Sequence, residues 1–273
     1  MTGGPWGAWA QQRAWGAGDG PLAIYGLSNV PLWLPGETYS SPDPGDADSV
    51  WTNLGNMGGT FVQSGVAGWH PALSAADDNW NGQDVVAFDG GDFLDWSGAA
   101  ADWTFLHDGT PYRLIALARP AAATTTQTLV CTNTFIPTPM LGMRLFFDGD
   151  NQRMRCNIAN ASEQHVLDQT LGTGTSEIGE RQLVSMLFNP ALGDLAGQLS
   201  VNGGAPVTQA VGATPGTGDA PNGLRIGART PSANNFLTGE IAALLCVVGS
   251  DIGNAAKFDA LVRWAELRYG AMG

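Results

Sequence analysis

The sequence predicts an all-β domain, a sandwich or barrel of at least eight short strands, closed by one amphipathic helix near the C-terminal end. Three observations carry this prediction. From residue 85 onward, apolar and β-branched runs alternate with turns built on Gly, Asn, Asp and Pro. Nineteen of the 25 acidic residues are Asp and six are Glu, which suits turns, where Asp bonds its own backbone, more than helices. Apolar residues recur at the helical period of about 3.6 in one late stretch only.

Taken in order, residues 1–20 form a compositional block of their own, an arm rich in Gly and Ala that carries Trp6, Trp9 and Trp15. Exposed indoles are costly in water, so the arm is expected to dock on its own domain or on a neighbouring subunit. The domain proper is expected over 21–273. Within it, residues 31–84 read as loop-rich: Pro31, Pro35, Pro42 and Pro44 and the polar run Ser40 to Ser49 leave room only for short strands and turns.

Val85 to Phe88 reads as a strand ended by Asp89-Gly90, with Val85 and Ala87 facing away from Val86 and Phe88. Arg113 to Ala118 is a strand closed by Pro120, which has no N–H for a central ladder. Leu141 to Phe147 and Gln152 to Ala159 form a hairpin around Asp148-Gly149-Asp150-Asn151, and Leu183 to Phe188 stops at Asn189-Pro190. Gln198 to Val201 turns at Asn202-Gly203, a dipeptide that accepts positive φ at both central positions, and returns over Pro206 to Val211. Leu224 to Arg229 follows, with Gly227 letting a neighbour approach, and Glu240 to Val248 is a long apolar strand. The helix is expected over about 255–269, since Phe258, Leu261, Val262, Ala265 and Tyr269 share a face, Asn254 can cap its start and Gly270 its end. Arg263, Glu266 and Arg268 fall on the other face.

The composition excludes several functions. Twenty-five acids against 12 bases give a net charge of −13, which repels phosphate backbones and anionic lipid. Positive charge rests on eleven arginines and one lysine, groups suited to fixed pairs. Cys131, Cys156 and Cys246 show no metal-ligand spacing and read as small buried hydrophobes. The first twenty residues lack the basic and apolar regions of a secretion signal, and no apolar run reaches the length of a membrane span. No repeat of 20 to 50 residues recurs. His70, His107 and His165 lie in separate segments, and the Gly-rich stretches at 18–21 and 172–175 lack the lysine of a phosphate loop, so no catalytic residue is assigned.

The phrases PLWLPG (31–36), VWTNLGNMGGTFVQ (50–63), HPAL (70–73), NGQDVVAFDGGDFL (81–94), LRIGAR (224–229), FLTGEIAALLCV (236–247) and a terminal helix ending in RYG (268–270) fall in this order. The set resembles the concanavalin A-like, laminin-G-like jelly-roll superfamily, in the version found in virion proteins of tailed bacteriophages. The resemblance covers roughly residues 30–270 and implies a two-sheet antiparallel jelly-roll sandwich. It also implies a non-enzymatic structural or adhesion protein of a phage particle, a head decoration or fibre or a tail-tip or tail-fibre component. Such a protein is expected on the virion surface after assembly in the host cytoplasm, docked on other capsid or tail subunits and homo-oligomeric. Binding of host surface polysaccharide is the alternative, and a glycan hydrolase a more distant one, since the Glu-x-Asp-x-x-Glu pattern of laminarinase-type relatives is absent and only separated Asp residues remain. Sugar binding needs an aromatic face bordered by polar groups, which points to Trp69, His70, Trp80, Asn81, Trp96 and Trp103 in or beside loops. No cofactor is required; lectin-like relatives often bind calcium through loop Asp residues, which makes Asp89, Asp92, Asp148 and Asp150 weak candidates.

Overall fold

The computed structural model describes residues 19–40, 48–64, 68–121, 125–133, 141–160, 164–170, 179–209, 222–230 and 233–272. Trp6, Trp9 and Trp15 of the arm lie outside the described residues.

Two antiparallel sheets form a sandwich. The first runs β15 (Val207–Gln209), β14 (Gly197–Val201), β13 (Gln182–Phe188), β8 (Tyr112–Pro120), β17 (Thr238–Val248), β6 (Gln83–Asp89), β5 (Ala72–Asp77), with β1 (Leu32–Pro35) also pairing with β17. The second runs β12 (Gln164–Thr170), β11 (Arg153–Asn160), β10 (Leu141–Asp148), β9 (Thr126–Cys131), β16 (Arg225–Ile226), β7 (Leu94–Trp96), β4 (Thr60–Ser64), β3 (Asp48–Thr52), β2 (Tyr39–Ser40). Helix α1 (Asp19–Tyr25) precedes them and α2 (Ala255–Tyr269) follows.

The apolar runs have two destinations. Trp51, Phe61, Val86, Phe88, Trp96, Trp103, Phe147 and Leu244 fill the space between the sheets. Trp33, Trp80, Val85, Ile115, Leu117, Leu183 and Leu245 point to the other face of the first sheet, where Leu261, Trp264, Ala265 and Tyr269 of α2 cover them. Having both faces buried explains why β8, β13 and β17 lack polar alternation. The expected split of Val85 from Val86 and Phe88 is therefore realised.

Local chemistry sets the ends of α2. The Asn254 side chain accepts from the Lys257 N–H, and Gly270 leaves the helix at φ 89°. The packed face is wider than the spacing predicts. Trp264 belongs to it, edge-on to Trp33 at 5.5 Å and to Tyr269 at 5.7 Å, whereas Phe258 and Val262 are only partly buried. Arg268 is not on a solvated face either, since it reaches Glu37 Oε1 at 2.7 Å. Helix α1 was not expected, and its Gly20 lies so close to Trp264 that a Cβ would sit 2.1 Å from the indole nitrogen. At the β14–β15 connection Asn202 and Gly203 take φ 52° and 69°, as the dipeptide predicts.

Candidate functional site

With α2 on the first sheet, the outer face of the second sheet is where polar groups collect. Its strands alternate: Met143, Leu145 and Phe147 point into the core, so Arg144, Phe146 and Asp148 point outward. Register extends this across the sheet. Val166, Asn157, Arg144, Cys131, Arg225, Asp95, Val62, Val50 and Ser40 are successive Cα partners on nine strands, and all stand on the outer side. A second row places Asp168, Arg155, Phe146 and Thr128 side by side.

Toward the β7 side of this face an aromatic group stands beside a fixed ion pair. Trp69, in the loop before β5, is 40% exposed and packs on Phe93 with ring centroids 5.6 Å apart. Phe93 is itself covered by the Arg225 guanidinium, 4.1 Å from the ring centroid. Arg225 holds Asp95 with both ends, Nε to Oδ1 at 2.6 Å and Nη2 to Oδ2 at 2.9 Å. The Asp95 side chain is 42% exposed, so the paired carboxylate still faces solvent. His70, next to Trp69, has Nδ1 3.0 Å from Ser49 Oγ, which orients its ring. An exposed indole with a fixed carboxylate and guanidinium nearby can stack on the apolar face of a sugar and hydrogen-bond its hydroxyls. Nothing in the sequence brought Phe93, Asp95 and Arg225 together beside Trp69, since Arg225 lies 130 residues from Asp95.

The other expected stacking residues are elsewhere. Trp80 and Trp103 have no exposed surface, and Trp96 has 9%. Trp80 packs beneath α2 and donates Nε1 to Glu240 Oε2 at 2.6 Å, while Trp96 and Trp103 pack edge-on in the core at 5.4 Å. Buried indoles have no face left for a ligand, so these three are corrected to core residues. Asn81 takes left-handed φ 57° and donates to the Leu267 and Arg268 carbonyls at 3.4 and 3.2 Å, capping the end of α2.

The calcium candidates do not fit a cation. Asp89 Oδ1 accepts from Gly91 N at 2.9 Å, and Asp92 Oδ2 from Asp89 N at 2.8 Å. Burial pushes the Asp92 carboxyl up to about 6. Asp148 Oδ2 accepts from Asn151 at 2.9 Å and from Arg155 at 3.0 Å, and Asp150 is exposed in the turn. Among the described residues no group of three or more His, Cys, Asp or Glu side chains is arranged to hold a metal.

No family model and no curated protein matches the chain. Among solved structures it is similar to domain 4 of AbnA, a GH43 extracellular arabinanase from Geobacillus stearothermophilus, solved in complex with arabinotriose. That match has 12% identity and a TM-score of 0.54, over 85% of this chain and 98% of that one. It is also similar to the binding domain of botulinum neurotoxin DC, solved with rat synaptotagmin II, at 8% identity and TM-score 0.51, over 89% of this chain and 52% of that one. The CBM40 domain of the Ruminococcus gnavus IT-sialidase matches at 14% identity and TM-score 0.49, over 66% and 96%. At such identities the likeness speaks for architecture alone, and the architecture is a two-sheet antiparallel sandwich of the jelly-roll kind with one C-terminal helix.

Proposed function

We propose that this protein is a glycan-binding module that recognises polysaccharide through the outer face of its second sheet and does not turn it over. One observation carries the reading: of the seven tryptophans among the described residues, Trp69 is the exposed one, and it stands by way of Phe93 beside the Arg225–Asp95 pair. The fold shared with an arabinanase domain solved with arabinotriose supports it. Binding without hydrolysis is favoured because Asp95, Asp148 and Asp168 on this face each stand in an ion pair with a guanidinium at 2.5–3.0 Å rather than as a free pair of carboxyl groups. A glycan array that includes arabinan and bacterial surface polysaccharides tests the proposal. The wild type is expected to be retained without release of reducing ends, and Trp69→Ala to pass through. Retention of both proteins alike refutes the site, and release of reducing ends refutes the absence of turnover.

A second reading places the same module on a tailed-phage particle, as a head decoration, fibre or tail component docked on other virion subunits. The ordered phrases from PLWLPG to RYG favour it. Deleting residues 1–17 keeps Gly20 against Trp264 and removes the three arm tryptophans. Loss of incorporation into particles supports docking by the arm, and full occupancy refutes it.

A further inference from the structure

We infer that Asp95 sets the specificity of the Trp69 site: resting on the glycan reading of that face, the site takes neutral, hydroxyl-rich sugars and turns away uronic acids and other carboxylate-bearing ones.

Hydrogen-bonding capacity decides what the ion pair offers a ligand. A guanidinium only donates, and an ionised carboxylate only accepts. Arg225 spends Nε on Asp95 Oδ1 at 2.6 Å, Nη2 on Asp95 Oδ2 at 2.9 Å and Nη1 on the Arg229 carbonyl at 3.2 Å, and its Cζ lies 4.1 Å from the Phe93 ring centroid. Its side chain is 12% exposed, against 42% for Asp95. Solvent therefore reaches the acceptor of the pair more than the donor. The bidentate bond uses one lone pair of each Asp95 oxygen and leaves a second on each. Neighbouring hydroxyls of one sugar can both donate there, whereas a sugar carboxylate at neutral pH has no proton to give. The steps from indole to carboxylate are contacts, 5.6 Å from Trp69 to Phe93, 4.1 Å on to Arg225 and 2.6 Å on to Asp95, a reach that suits a short oligosaccharide.

The surroundings carry the same sign, on a chain of net charge −13. Arg144, Arg153 and Arg155 stand on β10 and β11, across β16 from Asp95, and Arg229 stands near Arg144. On the other side of Asp95, β4, β3 and β2 contain no Lys or Arg. The row continues there through Val62 and Val50, beside the exposed Thr60 and Ser97 hydroxyls, 3.0 Å apart. At the Trp69 end stands the exposed Asp89. A Cβ added to Gly91 would lie 3.4 Å from Asp89 Oδ1 and 3.8 Å from the Gly68 carbonyl oxygen, so this carboxylate borders the loop that carries Trp69. An anionic sugar on this surface meets Asp89 near the indole and Asp95 beyond Phe93, while the guanidinium beside it, Arg225, is already paired. Like charges about 6 Å apart at a partly wet surface weaken binding by about tenfold.

Matched pairs of polysaccharides test the assignment. Galacturonan, alginate and hyaluronan are printed beside arabinan and bacterial surface polysaccharides, each acidic polymer next to its carboxyl-reduced product, in which a primary alcohol replaces the carboxylate. The wild type is expected to bind the reduced forms about tenfold more tightly than their acidic parents. Asp95→Asn, which keeps the shape of the side chain and removes its charge, should narrow that gap to about threefold or less. Raising the salt from about 20 mM to about 500 mM should narrow it in the wild type as well and leave neutral binding unchanged, a readout that does not depend on how the variant folds. Acidic parents bound as tightly as the reduced forms, or a gap that neither salt nor Asp95→Asn narrows, overturn the role of Asp95 and leave the glycan reading in place. Retention on no probe, arabinan and the bacterial polysaccharides included, overturns both.

Discussion

Replacing Gly227 with Ala tests how the chain passes from the second sheet to the first. Gly227 follows β16, the strand that carries Arg225, and sits at φ 84°. A Cβ there would lie 2.5 and 2.6 Å from two atoms of the Phe88 ring and 3.1 Å from the Asp92 carbonyl oxygen. Phe88 is sealed in the core at 3% exposure, so its ring has no room to withdraw. The left-handed backbone costs an L-residue about 1–2 kcal/mol, and the forced contact adds about 1–3 kcal/mol. Gly58 is the control: it has φ 62° with nothing within 4 Å of the added carbon, so Gly58→Ala should bear the backbone part alone. Urea denaturation of both variants reads the difference, expected at about 1–3 kcal/mol. Equal losses would mean that Phe88 does not pack against this turn as described.

Three further outcomes are expected. Trp96→Ala should cost about 3–5 kcal/mol, since it empties core space beside Phe61 and Trp103, whereas Trp69→Ala should leave the denaturation midpoint nearly unchanged. Glu240→Gln should lose about 1–3 kcal/mol by chemical denaturation, because Glu240 receives Arg119 at 2.8 and 2.6 Å as well as the Trp80 indole. Asp92, whose folded pKa of about 6 lies above its ordinary 3.8, binds its proton more tightly folded than unfolded; stability from this group therefore rises as pH falls from about 6 to about 4. Asp92→Asn should flatten that rise and stabilise the protein at pH 7, by no more than about 3 kcal/mol, in urea titrations run across the window.

What the sequence made legible was local. The α2 caps and spacing lie within one segment, and the apolar runs of β8, β13 and β17 need no partner to be seen. Trp69 and His70 were legible as loop residues, but whether an indole beside a turn is buried depends on distant partners. Trp80 is held by Glu240, 160 residues away, and Asp95 by Arg225, 130 residues away. The alternation of Arg144, Phe146 and Asp148 with Met143, Leu145 and Phe147 was a signal that one face of the second sheet is polar. The pairing of β10, β9, β16 and β7 that aligns Arg144 with Asp95 comes from register alone, which short strands separated by long connections do not encode locally.

The central claim is that the face beside Trp69 binds glycan. Calorimetric titration of one array-positive oligosaccharide into wild type and Trp69→Ala tests it most directly. At least a tenfold loss of affinity is expected in the variant, with no shift in its unfolding midpoint. Equal affinity in the two proteins, or the absence of any bound oligosaccharide in the wild type, would contradict it.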